Sequence, residues 1–251
     1  MKQKLTAALL GTLCHTLFAL AIVLMGYDVY YGFTRGLLPI GGEYGRYFNL
    51  LLIAQFPIAH SLLLTPRGRS FLAAIVPGGA GKDLVTTTFA TVASIQLLFV
   101  FLLWTPTETI WFEPHGTGLV LWSILFAGAW GLLLKALYDT SLALHSGFLG
   151  WSAVVRGKKP SFRPPPTGGL YQYVRHPIYL SFALILFLGP VWSPDHLWFA
   201  AVWGAYCIFG PILKERRLAS WYGETYKRAL AGVPYMIPRF RRNTPRGSEP
   251  S

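Results

Sequence analysis

The chain has 251 residues, 53% of them hydrophobic and 16% aromatic, but only 13% charged, with a net charge of +12. Soluble domains carry roughly 25% charged residues, so a water-soluble globule is excluded. The basic balance does not indicate nucleic acid, whose binders gather charge on one polar face; here it is interleaved with long apolar runs and suits an anionic membrane surface.

About 20 apolar residues are needed to cross a bilayer core of roughly 30 Å. The first run, 5–25, holds His15 as its one titratable group and is too long for a signal-peptide core of roughly 7–15 residues. It reads as a retained helix. The runs 47–64 and 84–104 are uncharged, and 117–144 contains Lys135 and Asp139. The runs 178–192 and 196–213 are divided by the turn Ser193-Pro194-Asp195. The fifth is short, so the last two form either two crossings or a shallow hairpin whose ends return to the same side. The predicted fold is an all-α polytopic membrane bundle of about six segments.

Alternating segments put residues 1–4, 65–83, 145–177 and 214–251 on one side. All but three of the 22 Lys and Arg residues fall there; Arg35 and Arg46 face the opposite side and Lys135 lies within a segment. The positive-inside rule makes the basic side cytosolic, with both termini. The stretch from Gly157 to Gly169 contains Pro160 and Pro164-Pro165-Pro166 and predicts an extended linker. Beyond it, Leu218, Tyr222, Tyr226 and Leu230 recur at helical spacing, predicting a cytosolic amphipathic C-terminal helix. The basic stretch Arg239-Phe240-Arg241-Arg242 is expected to be disordered and to touch anionic lipid. These features divide the chain into a four-helix membrane region (1–145), a cofactor-binding region (146–238) and a basic tail (239–251). The lack of a targeting signal and the compact loops suit a bacterial inner membrane. Cys14 and Cys207 sit inside apolar runs as packing residues, and no metal-ligand spacing occurs.

The densest chemistry lies in Tyr171, Arg175-His176-Pro177 and Tyr179. Pro177 suits a first helical position, and the free N–H groups there suit an anionic ligand group. The plain alternative is interfacial anchoring by Arg and Tyr. Lys135 and Asp139, four apart on one helix face, are either a functional pair within the membrane or a mutually neutralised structural one. His15 and His60 read as packing or hydrogen-bonded groups.

Together with Glu215, Leu218, Tyr222-Gly223, Tyr226 and Val233-Pro234, these residues resemble the C-terminal signature of the isoprenylcysteine carboxyl methyltransferase and phospholipid methyltransferase superfamily. His60-Ser61, and His145 followed by Phe148 and Gly150, resemble the branch containing methanethiol S-methyltransferases and nurim. The resemblance implies S-adenosylmethionine as methyl donor, held by Tyr171, Arg175, His176, Pro177, Ile178, Tyr179 and Glu215, with no glycine-rich loop. It also implies a small thiol or lipophilic acceptor near His60 and His145, beside which the intramembrane Lys135 and Asp139 stand as further acceptor candidates, and it names no catalytic base. In this sequence Lys214 stands where the family usually has a second glutamate. Leu144, Gly147, Ser152 and Ala153 replace the Asn, Asp, Arg and Gln usual around His145. The competing readings are a non-catalytic nurim-like membrane protein and a reductase related to the sterol reductases using NADPH. The oligomeric state is left open.

Overall fold

A computed structural model describes residues 1–41 and 44–238. The predicted basic tail lies outside the described residues. The described chain is helical: α1 (Lys2–Tyr30), α2 (Gly45–Leu63), α3 (Pro66–Ala74), α4 (Gly81–Leu103), α5 (Gly116–Thr140), α6 (Leu142–His145), α7 (Phe148–Val155), α8 (Pro177–Phe187) and α9 (Pro194–Leu230). Four of these, α1, α4, α5 and α9, are long and apolar enough to cross a membrane. Counting α2 and α3 as one span bent by 91° gives five. The protein is an integral membrane protein.

The expected fifth crossing is where the observed count falls short of six. It is the 11-residue α8, about 17 Å long at 1.5 Å per residue against a core of roughly 30 Å. The helix stops at Phe187 because Gly189 lies against the His196 ring and the Val29 carbonyl, and Pro190 follows. The apolar run continues to Trp192 as irregular chain, so hydropathy overstates the helix. The expected separate C-terminal helix is the continuation of α9, which runs unbroken through Lys214 and kinks at Gly223 (φ 56°, ψ −139°). Along it Tyr226 is buried and Leu218 and Leu230 are half-buried, whereas Tyr222 is exposed.

Two groups of helices pack together. One joins α1, α4 and α7, with α3 against α4; the other joins α5, α8 and α9; α2 touches both α4 and α9. Their common core is aromatic: Phe33, Phe101, Trp104, Phe199 and Trp203 are all buried, and Phe199 lies 4.5 Å from Phe33 and 4.4 Å from Trp203 between ring centroids. Polar links between helices suit a medium without water. Gln96 Nε2 donates to Gln55 Oε1 (3.1 Å), Gln55 Nε2 donates to the Gln96 carbonyl (2.9 Å), and Trp151 Nε1 donates to His15 Nε2 (3.0 Å). His15 is thus a hydrogen-bonded packing group, and both cysteines are buried thiols.

The end of α9 far from Glu215 is locked in place. Ser193 caps the helix by accepting from His196 N–H (3.0 Å), and Asp195 accepts from the Thr107 amide (2.8 Å) and hydroxyl (2.6 Å) in the loop between α4 and α5. At the opposite end, Thr65 caps α3 through the Gly68 amide (3.2 Å), with Pro66 in the first helical position. The bend from α2 into α3 brings Gly68 against the Leu62 carbonyl and the Leu63 backbone, leaving no room for a side chain. Gly68→Val is expected to cost about 2–3 kcal/mol by overpacking. That lowers the unfolding temperature in detergent by roughly 5–10 °C, read by a thermal shift of the purified protein.

Candidate active site

The linker and the turn after it are placed by the end of α5. Asp139 accepts from the Leu170 amide (2.8 Å) while pairing with Lys135, and Gly169 (φ 61°) lies directly on the Asp139 carboxylate. A left-handed glycine there lets the chain turn closely over the acid. Tyr171, next along, donates its hydroxyl to Thr140 Oγ1 (2.5 Å), whose own proton goes to the Ala136 carbonyl. Burial, as the largest cause, pushes the Tyr171 phenol up to about 12, so it stays protonated. The Lys135–Asp139 pair therefore fixes the turn carrying Tyr171, and Lys135 itself is half-exposed.

His176 is the last residue before α8 and Pro177 the first within it. The side chain of His176 is 1% exposed, and its ring lies edge-on to Tyr235 (4.9 Å) and Tyr179 (6.0 Å). Its Nε2 is 2.8 Å from Glu215 Oε1. Burial, then the nearby Lys214 ammonium, lowers the His176 pKa to about 4 against the upward pull of Glu215. The ring is accordingly neutral at pH 7. A carboxylate only accepts, so Nε2 carries the proton and donates. Nδ1 is then a bare acceptor, buried and without a partner among the described residues.

Arg175 closes the site from the other side. Its Nη1 is 3.5 Å from Glu215 Oε1, its Nε donates to the Val233 carbonyl (2.7 Å), and its backbone N–H donates to the Pro234 carbonyl (2.9 Å). The chain after α9 is thereby drawn back over the Arg-His-Pro turn, and Tyr235 donates its hydroxyl to the Ile208 carbonyl (2.7 Å) in the turn before Pro211. Beside this junction is a cavity of about 320 Å³ bordered by Arg175, Glu215, Ala219, Tyr226 and Leu230. Both contacts to Glu215 fall on Oε1, and Oε2 has no protein partner among the described residues.

Of the sequence-predicted cofactor residues, Arg175, His176, Tyr179 and Glu215 meet at this junction; Pro177 and Ile178 are buried in the first turn of α8. Tyr171 joins them through Lys214, whose Nζ is 6.0 Å from the Tyr171 ring and 5.8 Å from the Tyr179 ring. Among the expected acceptor residues, His60 packs between Phe56 (4.9 Å) and Phe89 (4.8 Å), and His145 is placed by the Ser141 carbonyl (3.0 Å). The two histidines are close enough to act on each other electrostatically, and Lys214 acts on His145. Burial, the largest cause, lowers the His145 pKa. Lys135 and Asp139 belong to the Tyr171 turn instead. Sequence reasoning missed Tyr235 and Tyr206; the signals were the Val233-Pro234-Tyr235 order and the spacing of Tyr206 from Gly210 and Lys214.

The residues fit the amino-acid end of a methionine-derived donor. A free carboxylate oxygen and an arginine are matched to an ammonium and a carboxylate, aromatic faces suit a cation, and the His176 acceptor remains to be used. The chain is 33% identical over 198 residues to methanethiol S-methyltransferase 1 of Bradyrhizobium diazoefficiens, covering 76% of this chain and 66% of that protein. It is 31% identical over 202 residues to methanethiol S-methyltransferase 2 of the same organism, covering 78% and 75%. A Nurim homolog of Drosophila melanogaster is 24% identical over 163 residues, 60% of each chain. No family model and no solved structure matches the chain.

Proposed function

We propose that this chain, which belongs to the methanethiol S-methyltransferase family, transfers a methyl group from S-adenosylmethionine to the sulfur of a small thiol, methanethiol being the first to test. The observation that carries the reading is the Glu215 carboxylate, held at one oxygen by His176 and Arg175 beside a cavity and left with its other oxygen unpaired. When bound, the cofactor supplies a methyl group already activated by a sulfonium. Glu215 holds the cofactor ammonium, Arg175 its carboxylate, and the Tyr171, Tyr179 and Tyr226 rings offer faces to the positive sulfur. His176 stays neutral and keeps Glu215 oriented. The remaining task of the protein is to align the acceptor and exclude water.

The bias of basic residues supports a cytosolic position for this face and both termini in a bacterial inner membrane, with α8 dipping into the bilayer beside α9. A small thiol partitions into the bilayer and reaches the site from there, and an uncharged thioether leaves by the same route. Binding of S-adenosylhomocysteine to the detergent-purified protein, followed by calorimetry, tests the cofactor. Headspace detection of dimethyl sulfide from methanethiol tests the acceptor. We expect micromolar binding and product formation. Absence of both removes the enzyme reading, and binding of NADPH instead points to a reductase.

A further inference from the structure

One helix face away from Glu215, α9 presents a second chemistry. Tyr206, Gly210, Lys214 and Arg217 are spaced at four, four and three residues and line one stripe. Tyr206 shares a hydrogen bond with Ser61 of α2 (3.2 Å). A Cβ on Gly210 would lie 3.1 Å from the Tyr206 ring and 3.4 Å from Tyr179, which shows how closely the stripe packs on α8. Lys214 sits over the Tyr171 and Tyr179 rings, and Arg217 (5.8 Å) shares the Trp221 ring with Arg69 of α3 (5.5 Å).

Three half-buried cations thus gather along this part of α9, Arg69 reaching it from α3. Among the described residues, none of the three has a carboxylate within 4 Å. Glu215, the neighbouring acid, is engaged by Arg175 and His176. The other titratable groups facing the stripe are Tyr171, Tyr179, Tyr206, His145 of α6 and His60 of α2, none of them a carboxylate. His60 Nδ1 is buried without a partner among the described residues. Cations away from water need a negative complement; aromatic faces supply part of one, and an anion supplies the rest.

We propose that this stripe is the acceptor site, and that Lys214 and Arg217 bind the acceptor as its thiolate anion. The inference rests on the methyl-transfer reading above. The cysteine thiol, pKa about 8.5, is only a few per cent thiolate at neutral pH, and a simple alkanethiol, a weaker acid, is less so; yet the thiolate is the nucleophile. The thiol proton passes to water; a sulfur lone pair then forms the bond to the methyl carbon as the sulfonium–carbon bond breaks and its electron pair stays on the cofactor sulfur. An anion and a cation become two neutral sulfides, so the product loses its hold on Lys214 and departs. Neutral acceptors such as alcohols gain nothing from the site.

The test compares wild type with Lys214→Met, Lys214→Arg and Arg217→Met. Thiocyanate, a sulfur-bearing anion, is titrated calorimetrically into each protein saturated with S-adenosylhomocysteine, and methanethiol kinetics are followed from pH 6 to 9. We expect Lys214→Met to lose thiocyanate binding and to raise the KM for methanethiol about 10- to 100-fold. The acid limb of its kcat/KM profile moves up by about one pH unit, and S-adenosylhomocysteine affinity stays within twofold. Arg217→Met changes in the same direction by less, and Lys214→Arg restores thiocyanate binding. Unchanged thiocyanate binding and KM in Lys214→Met overturn the proposal. So does a loss of S-adenosylhomocysteine binding in Lys214→Met, which assigns the ammonium to the cofactor carboxylate. Wild type that neither binds S-adenosylhomocysteine nor makes dimethyl sulfide fails the methyl-transfer reading itself, a result visible before any variant is made.

Discussion

Glu215→Ala is expected to weaken cofactor binding strongly while the protein still folds. The carboxylate is the acid that Arg175 and His176 share, and its second oxygen is the available partner for a cofactor ammonium. Removing one member of a buried charge pair costs about 2–5 kcal/mol of binding, because the other is left uncompensated. That corresponds to roughly a 30- to 5,000-fold weaker affinity, read by calorimetry with S-adenosylhomocysteine. Glu215→Gln separates charge from shape: its amide oxygen still accepts from His176 Nε2, so the site keeps its form and loses the ammonium. Full affinity in Glu215→Gln would show that the charge is not used. Arg175 remains tied to the Val233 and Pro234 carbonyls in either variant, which keeps the chain after α9 in place for the comparison.

The second large effect is acid sensitivity through His176. Its folded pKa, about 4, lies below the ordinary 6.5, so between these values the unfolded chain binds more protons than the folded one. Stability therefore rises with pH through this window. The contribution is complete above pH 6.5 and is lost as pH falls toward 4. Unfolding temperatures at pH 4.5, 5.5 and 7 will show a steeper acid loss in wild type than in His176→Ala, and S-adenosylhomocysteine affinity will follow the same trend. His145 also titrates below its usual range, so the difference between the two proteins, not the wild-type slope, is the reading. Identical slopes would mean that folding does not lower the His176 pKa.

The long apolar runs were readable because membrane helices announce themselves by length, and α1, α4, α5 and α9 appear where hydropathy puts them. Run length failed at α8: Gly189 and Pro190 are apolar enough to extend a hydropathy run but cannot extend that helix. Charge misled in the other direction at Lys214, which ends the apolar run without ending the helix. At the site, the Arg-His-Pro turn and Glu215 were legible as two linked motifs, and their meeting at 2.8 Å follows. What a linear reading cannot carry is company. Lys214 looked like a lost acid in sequence; in space it lies over Tyr171 from the turn and Tyr179 from α8. Asp139 looked like half of an ion pair, and the Leu170 amide that it also holds is 31 positions away.

The unbroken course of α9 ahead of its kink at Gly223 makes it a ruler. The part from Pro194 to the residue before Lys214 spans about 30 Å at 1.5 Å per residue, the thickness of a hydrocarbon core. With the far end pinned by Ser193 and Asp195, helix length sets how far Lys214 and Glu215 lie from that end. One residue inserted in that stretch would turn both charges by 100° and raise them by about 1.5 Å, exchanging the faces on which opposite signs are kept. A four-residue insertion would nearly restore the azimuth but lift the pair about 6 Å clear of α8. The spacing between the two ends of this helix is therefore as much a part of the chemistry as the side chains it carries.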